Sequence, residues 1–276
     1  TDSLTLASDY SLLQPYGDAK MVAEHIVKDG LGFVELAADI AHQFFRKTNA
    51  VSFKSDQSPV TVADQTIERA MRDAIKLKYP DHGIFGEEYG ISSDPCDEMW
   101  VIDPIDGTRS FLSGFPLYGV LLAHLKAGQP QFGIIKMPAL NEVYCGVTGD
   151  KATLNGAPIR VSEQTTLDKA ILYVNEGDKI YHAHPDVFDR LVNSGQTRRF
   201  SNDCYPHALL ASGHVDAVVD YDLKPYDFLA LAPVIEAAGG VITTWTGDPV
   251  HLEYEGPVVC AATAKLHSQL IDLLAD

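Results

Sequence analysis

The stretch Trp100-Val101-Ile102-Asp103-Pro104-Ile105-Asp106-Gly107-Thr108 decides which fold and chemistry this chain is expected to have. Its apolar start, from Met99 to Ile102, is typical of a short buried strand. Pro104 removes a backbone donor and holds the preceding residue extended, so two acids are fixed on a stiff turn where the strand stops. Gly107 lets the backbone approach a ligand, and the N–H groups after it could face an anion. The stretch suggests metal-assisted phosphate chemistry, with an ordinary surface turn as the alternative.

The composition is that of a globular chain with a strongly acidic balance. Its 276 residues, 46% of them hydrophobic and 21% charged, can form one large domain or two of ordinary size. The formal net charge of −17 disfavours nucleic acid and anionic membranes as partners and suits cations. The four cysteines are scattered, which fits a reducing compartment, and no apolar run reaches the roughly 18 residues of a membrane span. The first residues lack the regions of a signal peptide, so a cytoplasmic protein is expected.

Helical and strand patterns predict an N-terminal half over residues 1–160. Residues 1–16 carry no periodicity, and helical spacing from residue 17 to about 47 predicts two helices separated at Asp29-Gly30-Leu31-Gly32. A polar loop or hairpin at 52–61 leads into a helix that ends near Tyr79. Several strands follow, so this half is expected to be strand-rich and mostly antiparallel.

The rhythm changes near residue 165, where strands and helices begin to alternate. This alternation predicts an α/β C-terminal half over residues 161–276. One of its helices is expected to run from Tyr226 to Ala238 and to end at Gly239-Gly240. No low-complexity linker separates the halves, so they are expected to share a continuous interface.

Further acids occur at the ends of predicted elements, where side chains can meet the central turn. Glu87 follows a brief strand, Asp64 begins the helix after the polar loop, and Asp227 begins the helix that starts at position 226. Each by itself is also typical of a helix cap or an exposed acid. With Asp103 and Asp106 they form an all-oxygen set, which suits Mg²⁺ and does not suit zinc.

Four motifs occur in order along most of the chain: Lys54-Ser55-Asp56 with Ser58-Pro59-Val60-Thr61 and Asp64; Gly86-Glu87-Glu88; Asp103-Pro104-Ile105-Asp106-Gly107-Thr108; and Tyr226-Asp227 with Ala237-Ala238-Gly239-Gly240. This set resembles the inositol monophosphatase superfamily of Mg²⁺-dependent, lithium-sensitive phosphatases. The resemblance implies an αβαβα sandwich of the α/β (α+β layered) class and two to three Mg²⁺ ions per active site. It also implies a small phosphate monoester as substrate and a homodimer.

The resemblance assigns the metal ligands. Glu87, Asp103 and the Ile105 carbonyl would hold a first ion, and Asp103, Asp106 and Asp227 a second. Glu87, with waters, would serve a weaker third ion and so take part in catalysis. One ion would lower the pKa of a bound water and another would stabilise the leaving oxygen.

The resemblance also assigns the groups that act on water and phosphate. Thr108, paired with Asp64, would orient or deprotonate the attacking water. The backbone N–H groups of Gly107 and Thr108 would bind the phosphate beside Asp106. Lys54 lies in a loop that the family uses near the active site, and is counted with the substrate-binding residues.

Within the superfamily, the C-terminal half resembles the histidinol-phosphatase branch, through Asp203-Cys204-Tyr205 and Leu223-Lys224-Pro225-Tyr226-Asp227-Phe228. Asp203 replaces a small residue of the family's substrate pocket, and a carboxylate there should favour an ammonium group. The alternative is that Asp203 caps the following helix. Asp220 stands where the family places a substrate-contacting acid, usually glutamate. His207, with its tyrosine neighbours, could stack on an imidazole or belong to the core.

These observations predict Mg²⁺-dependent hydrolysis of a small phosphate monoester, with L-histidinol phosphate of histidine biosynthesis as the first candidate. The alternatives are myo-inositol 1-phosphate, a broader range of sugar or nucleotide phosphates, and a regulatory binding protein that retains the fold. Neither nucleic acid nor a membrane is expected as a partner.

Overall fold

The computed structural model describes residues 24–47, 51–53, 59–92 and 96–275. The predicted irregular arm at 1–16, the start of the first helix and Lys54 lie outside the described residues. The helices are α1 (Glu24–Phe44), α2 (Val62–Lys78), α3 (Thr108–Ser113), α4 (Gly177–Ala183), α5 (Pro185–Val192), α6 (Tyr205–Ala211), α7 (Pro225–Phe228), α8 (Leu231–Ala237) and α9 (Ala264–Leu274).

The described strands form three sheets. They are β1 (Val51–Phe53), β2 (Pro59–Thr61), β3 (Gly83–Gly86), β4 (Gly90–Ile91), β5 (Glu98–Asp106), β6 (Gly119–Lys126), β7 (Gln129–Met137), β8 (Glu142–Val147), β9 (Ala152–Leu154), β10 (Ala157–Ile159), β11 (Ile171–Asn175), β12 (Thr197–Ser201), β13 (Ala217–Leu223), β14 (Val241–Thr244) and β15 (Gly256–Ala261). β1 and β2 pair as a hairpin. The larger sheet has eight strands in the order β10-β9-β8-β7-β6-β5-β3-β4, and the smaller has five in the order β12-β11-β13-β15-β14.

Helices and sheets stack in five layers. α1 and α2 pack on one face of the eight-stranded sheet, and α6, α7 and α8 lie on its other face. The same middle helices contact the five-stranded sheet, whose far face is covered by α4, α5 and α9. The predicted αβαβα sandwich is confirmed. The helices of the middle layer all come from the predicted C-terminal half, while the boundary at residue 160 stays a prediction.

The predicted break in the first helix is wrong. α1 runs without interruption from Glu24 to Phe44, and Gly30 is one of its buried residues. A Cβ on Gly30 would lie 3.0 Å from the Phe132 ring and 3.2 Å from Ile134 Cδ1. The glycine therefore lets α1 lie close against β7, and this packing outweighs the helix propensity that glycine lacks.

The predicted single helix from Tyr226 to Ala238 is also wrong in detail. It is two helices, α7 and α8, separated at Leu229 and Ala230. A Cβ on Gly133 of β7 would lie 2.0 Å from the Ala230 carbonyl oxygen, so the turn between the helices lies directly on the sheet. In the described part of the chain, no helix combines the length and apolar character needed to cross a bilayer.

Candidate active site

The central strand β5 does not stop at Asp103, as predicted, but continues to Asp106 with an irregular register. Asp103 lies opposite Leu121 of β6 and Asp106 opposite Gly119, so three steps along β5 match two steps along β6. In a regular strand, residues three apart point to opposite faces. The extra residue forms a bulge, and this allows both acids to converge on one site.

Three carboxylates meet at this bulge. One oxygen from each of Asp103, Asp106 and Asp227 lies within 4.8 Å of the others. Asp227 comes from α7, where its Oδ2 accepts a 2.7 Å hydrogen bond from the backbone N–H of Lys224. Pro225 at the start of α7 fixes the chain in a helical φ, so the acid is presented from the first turn.

The predicted ligand Glu87 joins the same cluster. Its backbone N–H donates to the Ile102 carbonyl at 3.2 Å, which fixes it beside β5. Its side chain is hydrogen-bonded to Asp103. The Ile105 carbonyl, also a predicted ligand, accepts a 3.2 Å hydrogen bond from the Thr108 hydroxyl. The structure therefore brings the four predicted carboxylates together, and the assignment of all five groups as metal ligands stays a prediction.

The charge of this cluster calls for a cation. Burial, followed by repulsion from neighbouring carboxylates, raises the pKa of Asp103 and Asp106 well above the usual range. The same causes raise the pKa of Asp227 to about 8. Buried carboxylates resist ionisation unless a positive charge lies between them. Carboxylate and carbonyl oxygens are the donors that Mg²⁺ prefers, so the residues present fit this metal.

Asp64 and Thr108 meet beside the cluster. The Thr108 hydroxyl lies 3.0 Å from Asp64 Oδ1 and donates to it. Asp64 Oδ2 accepts from the backbone N–H of Thr61, at 2.9 Å, and from the Thr61 hydroxyl, which completes a capping box at the start of α2. Burial raises the pKa of Asp64 despite these hydrogen bonds. The predicted pair is thus in contact.

Gly107 makes the turn between β5 and α3 and is tightly covered. Its φ of +86° is in the left-handed region, which glycine adopts without strain. A Cβ at this position would lie 2.6 Å from Asp203 Cγ. Gly107 therefore permits both the turn and the close approach of the Asp203 carboxylate.

Asp203 lines the cleft and does not cap α6. The N-cap of α6 is Cys204, with no side-chain hydrogen bond. Asp203 Oδ2 instead accepts a 2.5 Å hydrogen bond from the Ser110 hydroxyl. Burial raises the pKa of Asp203 to about 6. The capping alternative is excluded, and the carboxylate faces the same cavity as Asp106 and Thr108.

Asp220 forms part of the cleft floor. It is 3% exposed and accepts hydrogen bonds from Asn175 Nδ2 at 2.7 Å and from the Tyr221 backbone N–H at 2.8 Å. His207 Nε2 lies 3.7 Å from Asp220 Oδ2. Burial raises the pKa of Asp220 to about 7 and lowers that of His207 to about 4. His207 lines the cleft with both ring nitrogens unpartnered, which favours the binding alternative over a core role.

Sequence reasoning missed four charged residues that line the cleft: Arg109, Glu176, Lys179 and Asp222. Glu176 follows β11 directly, and Lys179 lies on α4, one turn further. An acid at the end of a predicted element is the signal that indicates Glu87 and Asp227, and Glu176 carries the same signal. Asp222 lies in the irregular part of β13, which no sequence pattern marks.

A layered sandwich with a cluster of acids at the bulge of its central strand defines a metal-dependent phosphatase fold. The sequence profile of the inositol monophosphatase family matches residues 22–276, and the chain belongs to this family. It is accordingly a phosphoric monoester hydrolase of a generally Mg²⁺-dependent family, as the sequence predicted.

Individual relatives agree with this assignment. The chain is 39% identical over 254 residues to the chloroplastic bifunctional phosphatase IMPL2 of Arabidopsis thaliana, covering 89% of this chain and 73% of that protein. It is 37% identical over 232 residues to a histidinol-phosphatase of Chlorobaculum parvum, covering 83% and 89%. An inositol monophosphatase structure from Zymomonas mobilis superimposes with a TM-score of 0.83 at 34% identity, over 91% of this chain and 98% of that one. The homodimer, lithium sensitivity and cytoplasmic location stay predictions.

Proposed function

We propose that this protein hydrolyses L-histidinol phosphate to L-histidinol and phosphate. The observation that carries the proposal is the carboxylate of Asp203, buried in the cleft against Gly107 and not used as a helix cap. A carboxylate beside a phosphate-binding turn does not help to bind the phosphate. It does help to bind an ammonium group on the substrate, because a charge-assisted hydrogen bond between carboxylate and ammonium is strong in a partly buried site.

The wall of the cleft supports a cationic substrate more broadly. Four acids line the cavity beyond the metal cluster: Glu176, Asp203, Asp220 and Asp222. Inositol phosphate offers only neutral hydroxyls to such a wall. Histidinol phosphate offers an ammonium and an imidazole, and the buried nitrogens of His207 can pair with an imidazole N–H.

The family comparisons point in the same direction. A histidinol-phosphatase and a bifunctional phosphatase are among the relatives with the higher identities. The Zymomonas mobilis structure is of an inositol monophosphatase, so relatives of both kinds share this fold.

We further propose that Glu87, Asp103, Asp106, Asp227 and the Ile105 carbonyl hold two to three Mg²⁺ ions. Bound Mg²⁺ would lower the pKa of a coordinated water and stabilise negative charge on the leaving oxygen.

The residues beside the metal site then have distinct tasks. Thr108, held by its hydrogen bond to Asp64, orients the attacking water. Asp64 receives the proton that this water loses. The Gly107 and Thr108 N–H groups bind the phosphate at the start of α3. No protein nucleophile is needed, because water attacks the phosphorus directly.

The test is release of inorganic phosphate from L-histidinol phosphate, myo-inositol 1-phosphate and adenosine 3′,5′-bisphosphate, each with Mg²⁺ and with a chelator. We expect Mg²⁺-dependent release with the highest kcat/KM for histidinol phosphate. A higher kcat/KM for inositol phosphate would overturn the substrate and leave the phosphatase class intact. Absence of Mg²⁺-dependent release from all three would favour the regulatory binding protein instead.

A further inference from the structure

A lysine lies among the acids of the cleft, and both of its contacts are carboxylates. Lys179 Nζ lies 2.8 Å from Glu176 Oε2 and donates a 3.0 Å hydrogen bond to Asp222 Oδ2. Burial works to lower the pKa of Lys179, but these two acids outweigh it and raise the pKa. The ammonium is therefore charged at neutral pH. This ammonium is paired with the Glu176 and Asp222 carboxylates and is not available to bind a phosphate.

Glu176 shows that this part of the cavity holds an ammonium group. Its buried Oε2 is paired with the Lys179 ammonium at 2.8 Å. His207 is an unpartnered group in the same cavity, 1% exposed with both ring nitrogens free of hydrogen bonds. Buried polar atoms are rarely left without partners. The unpartnered nitrogens of His207 therefore point to a ligand that can form hydrogen bonds with them.

The backbone of this wall is strained where its acids project. Glu176, Asp203 and Asp222 have φ values of +48°, +63° and +64°, in the left-handed region that residues with a Cβ seldom adopt. Strain of this kind persists where surrounding structure enforces it, and it gathers at ligand sites. The three acids are thus held in place and do not adjust freely to Lys179.

We propose that Lys179 is a tethered competitor of the substrate's ammonium group, occupying Glu176 until an amine-bearing phosphate ester displaces it. The inference rests on the proposed function and deepens it. Asp222 explains how displacement can occur, because its side chain is 54% exposed and can keep Lys179 paired at the rim. A substrate without a cation leaves Lys179 on Glu176. The lysine thereby helps to set which phosphate esters bind well.

If Lys179 has this role, removing its charge should change substrate binding in the opposite direction to removing a lysine that binds phosphate. Removing a phosphate-binding lysine weakens every phosphate ester. Removing a tethered competitor strengthens only the ester that carries an amine. A partly exposed ion pair contributes modestly, so we expect a change of about fivefold.

The experiment compares L-histidinol phosphate with 3-(imidazol-4-yl)propyl phosphate, which differs only in lacking the amino group. The ratio of their kcat/KM values isolates the contribution of the amine. We expect Lys179→Met to raise this ratio about fivefold and Glu176→Gln to lower it by a similar factor. Calorimetry with L-histidinol itself supplies a readout independent of turnover, and Lys179→Met should bind it about fivefold more tightly.

Lys265→Met is the matched control, since Lys265 is an exposed lysine of α9 that does not line the cleft. It removes the same charge from the protein and should leave the ratio unchanged. Circular dichroism checks that each variant is folded. An unchanged or lower ratio in folded Lys179→Met, with wild-type turnover of histidinol phosphate intact, would overturn this inference alone. Failure of the wild type to hydrolyse histidinol phosphate would overturn the proposed function, and this inference with it.

Discussion

Thr108 Oγ1 and Asp64 Oδ1 are joined by a 3.0 Å hydrogen bond that spans 44 positions of sequence. The other oxygen of the same carboxylate is held by Thr61 at the start of α2. The Asp64 side chain therefore caps the start of α2 and orients Thr108, the first residue of α3. Because Asp64 is held in this way, the direction of the Thr108 hydroxyl is fixed, and a group that positions water needs a fixed direction.

Asp64→Asn is expected to lower kcat by a factor of about 100 or more, because the amide cannot take up the proton. KM should change little. The amide oxygen can still accept from the Thr61 backbone, so the thermal midpoint should fall only slightly. Steady-state kinetics and a thermal melt check both. Thr61→Ala is the control: it loses the cap at a cost of about 1 kcal/mol, with a much smaller effect on kcat. Full kcat in Asp64→Asn would exclude Asp64 as the base.

Asp227→Asn is expected to shift stability in opposite directions with and without metal. In chelator, the substitution removes one repelling carboxylate and should raise the thermal midpoint, while the amide oxygen still accepts from Lys224. With Mg²⁺, the wild type should gain stability by mass action, about 2.7 kcal/mol at a hundredfold excess over Kd, and the variant should gain much less. Melts with chelator and with increasing Mg²⁺ measure both. An equal Mg²⁺ response in the two proteins would remove Asp227 from the metal site.

Asp203→Asn should raise KM for histidinol phosphate about tenfold or more, because the ammonium loses a charged partner in a partly buried site. The deamino analogue should lose much less. Asparagine has nearly the same shape, so it keeps the contact with Gly107 and the acceptor for Ser110. Kinetics with both esters provide the comparison, and equal losses would sink the idea that Asp203 recognises the amine.

His207→Leu is expected to stabilise the protein by about 1 kcal/mol and to weaken binding of histidinol. The imidazole is buried with two unpartnered nitrogens, and leaving such groups buried costs free energy that an apolar side chain of similar size avoids. Chemical denaturation measures the first effect and calorimetry with L-histidinol the second. A loss of stability with unchanged binding would mean that His207 serves only the core.

His124→Phe is expected to make stability less sensitive to acid. His124 is 1% exposed, and its burial lowers its pKa to about 4 from the usual 6.5. The unfolded chain binds this proton near pH 6.5 and the folded chain only near pH 4. Stability from this group is therefore complete above pH 6.5 and falls by on the order of 3 kcal/mol as the pH drops to 4.

Phenylalanine can keep the stacked contact that His124 makes with Phe132, at 5.6 Å between ring centroids. The check is denaturant unfolding of wild type and variant at intervals between pH 4 and 7. If the free energy of unfolding depended on pH in the same way in His124→Phe and wild type, the low pKa assigned to His124 would be contradicted.

The acid cluster could be predicted from sequence because its residues stand within recognisable motifs. Glu87 follows β3, Asp227 lies in the first turn of α7, and Asp103 and Asp106 lie in and at the end of β5, and the structure gathers the four carboxylates. The bulge that makes this convergence possible was not predicted. Pro104 was expected to end β5, yet the strand pairs on both sides of the irregularity, because its neighbours in the sheet hold it in place.

The structural features that sequence does not predict depend on contacts between distant segments. The sequence around Gly30 predicts a helix break, since nothing in its neighbourhood shows that it faces Phe132. Lys179 and Asp222 are 43 positions apart, and only folding places them on the same wall. Local pattern determines elements and their ends, whereas the shape of the substrate cleft is a property of tertiary packing.

The bulge in β5 makes the candidate active site depend on an irregularity in strand register. If β5 paired regularly with β6 at its present length, Asp103 and Asp106 would be three residues apart in a regular pleat, and one of them would point to the opposite face of the sheet. The acids proposed to recognise an amine on the substrate stand elsewhere: Glu176 just before α4, Asp203 just before α6 and Asp222 in the irregular end of β13. Substitution at those positions can therefore change which substrate is preferred without disturbing the irregular register that brings the two acids of β5 together.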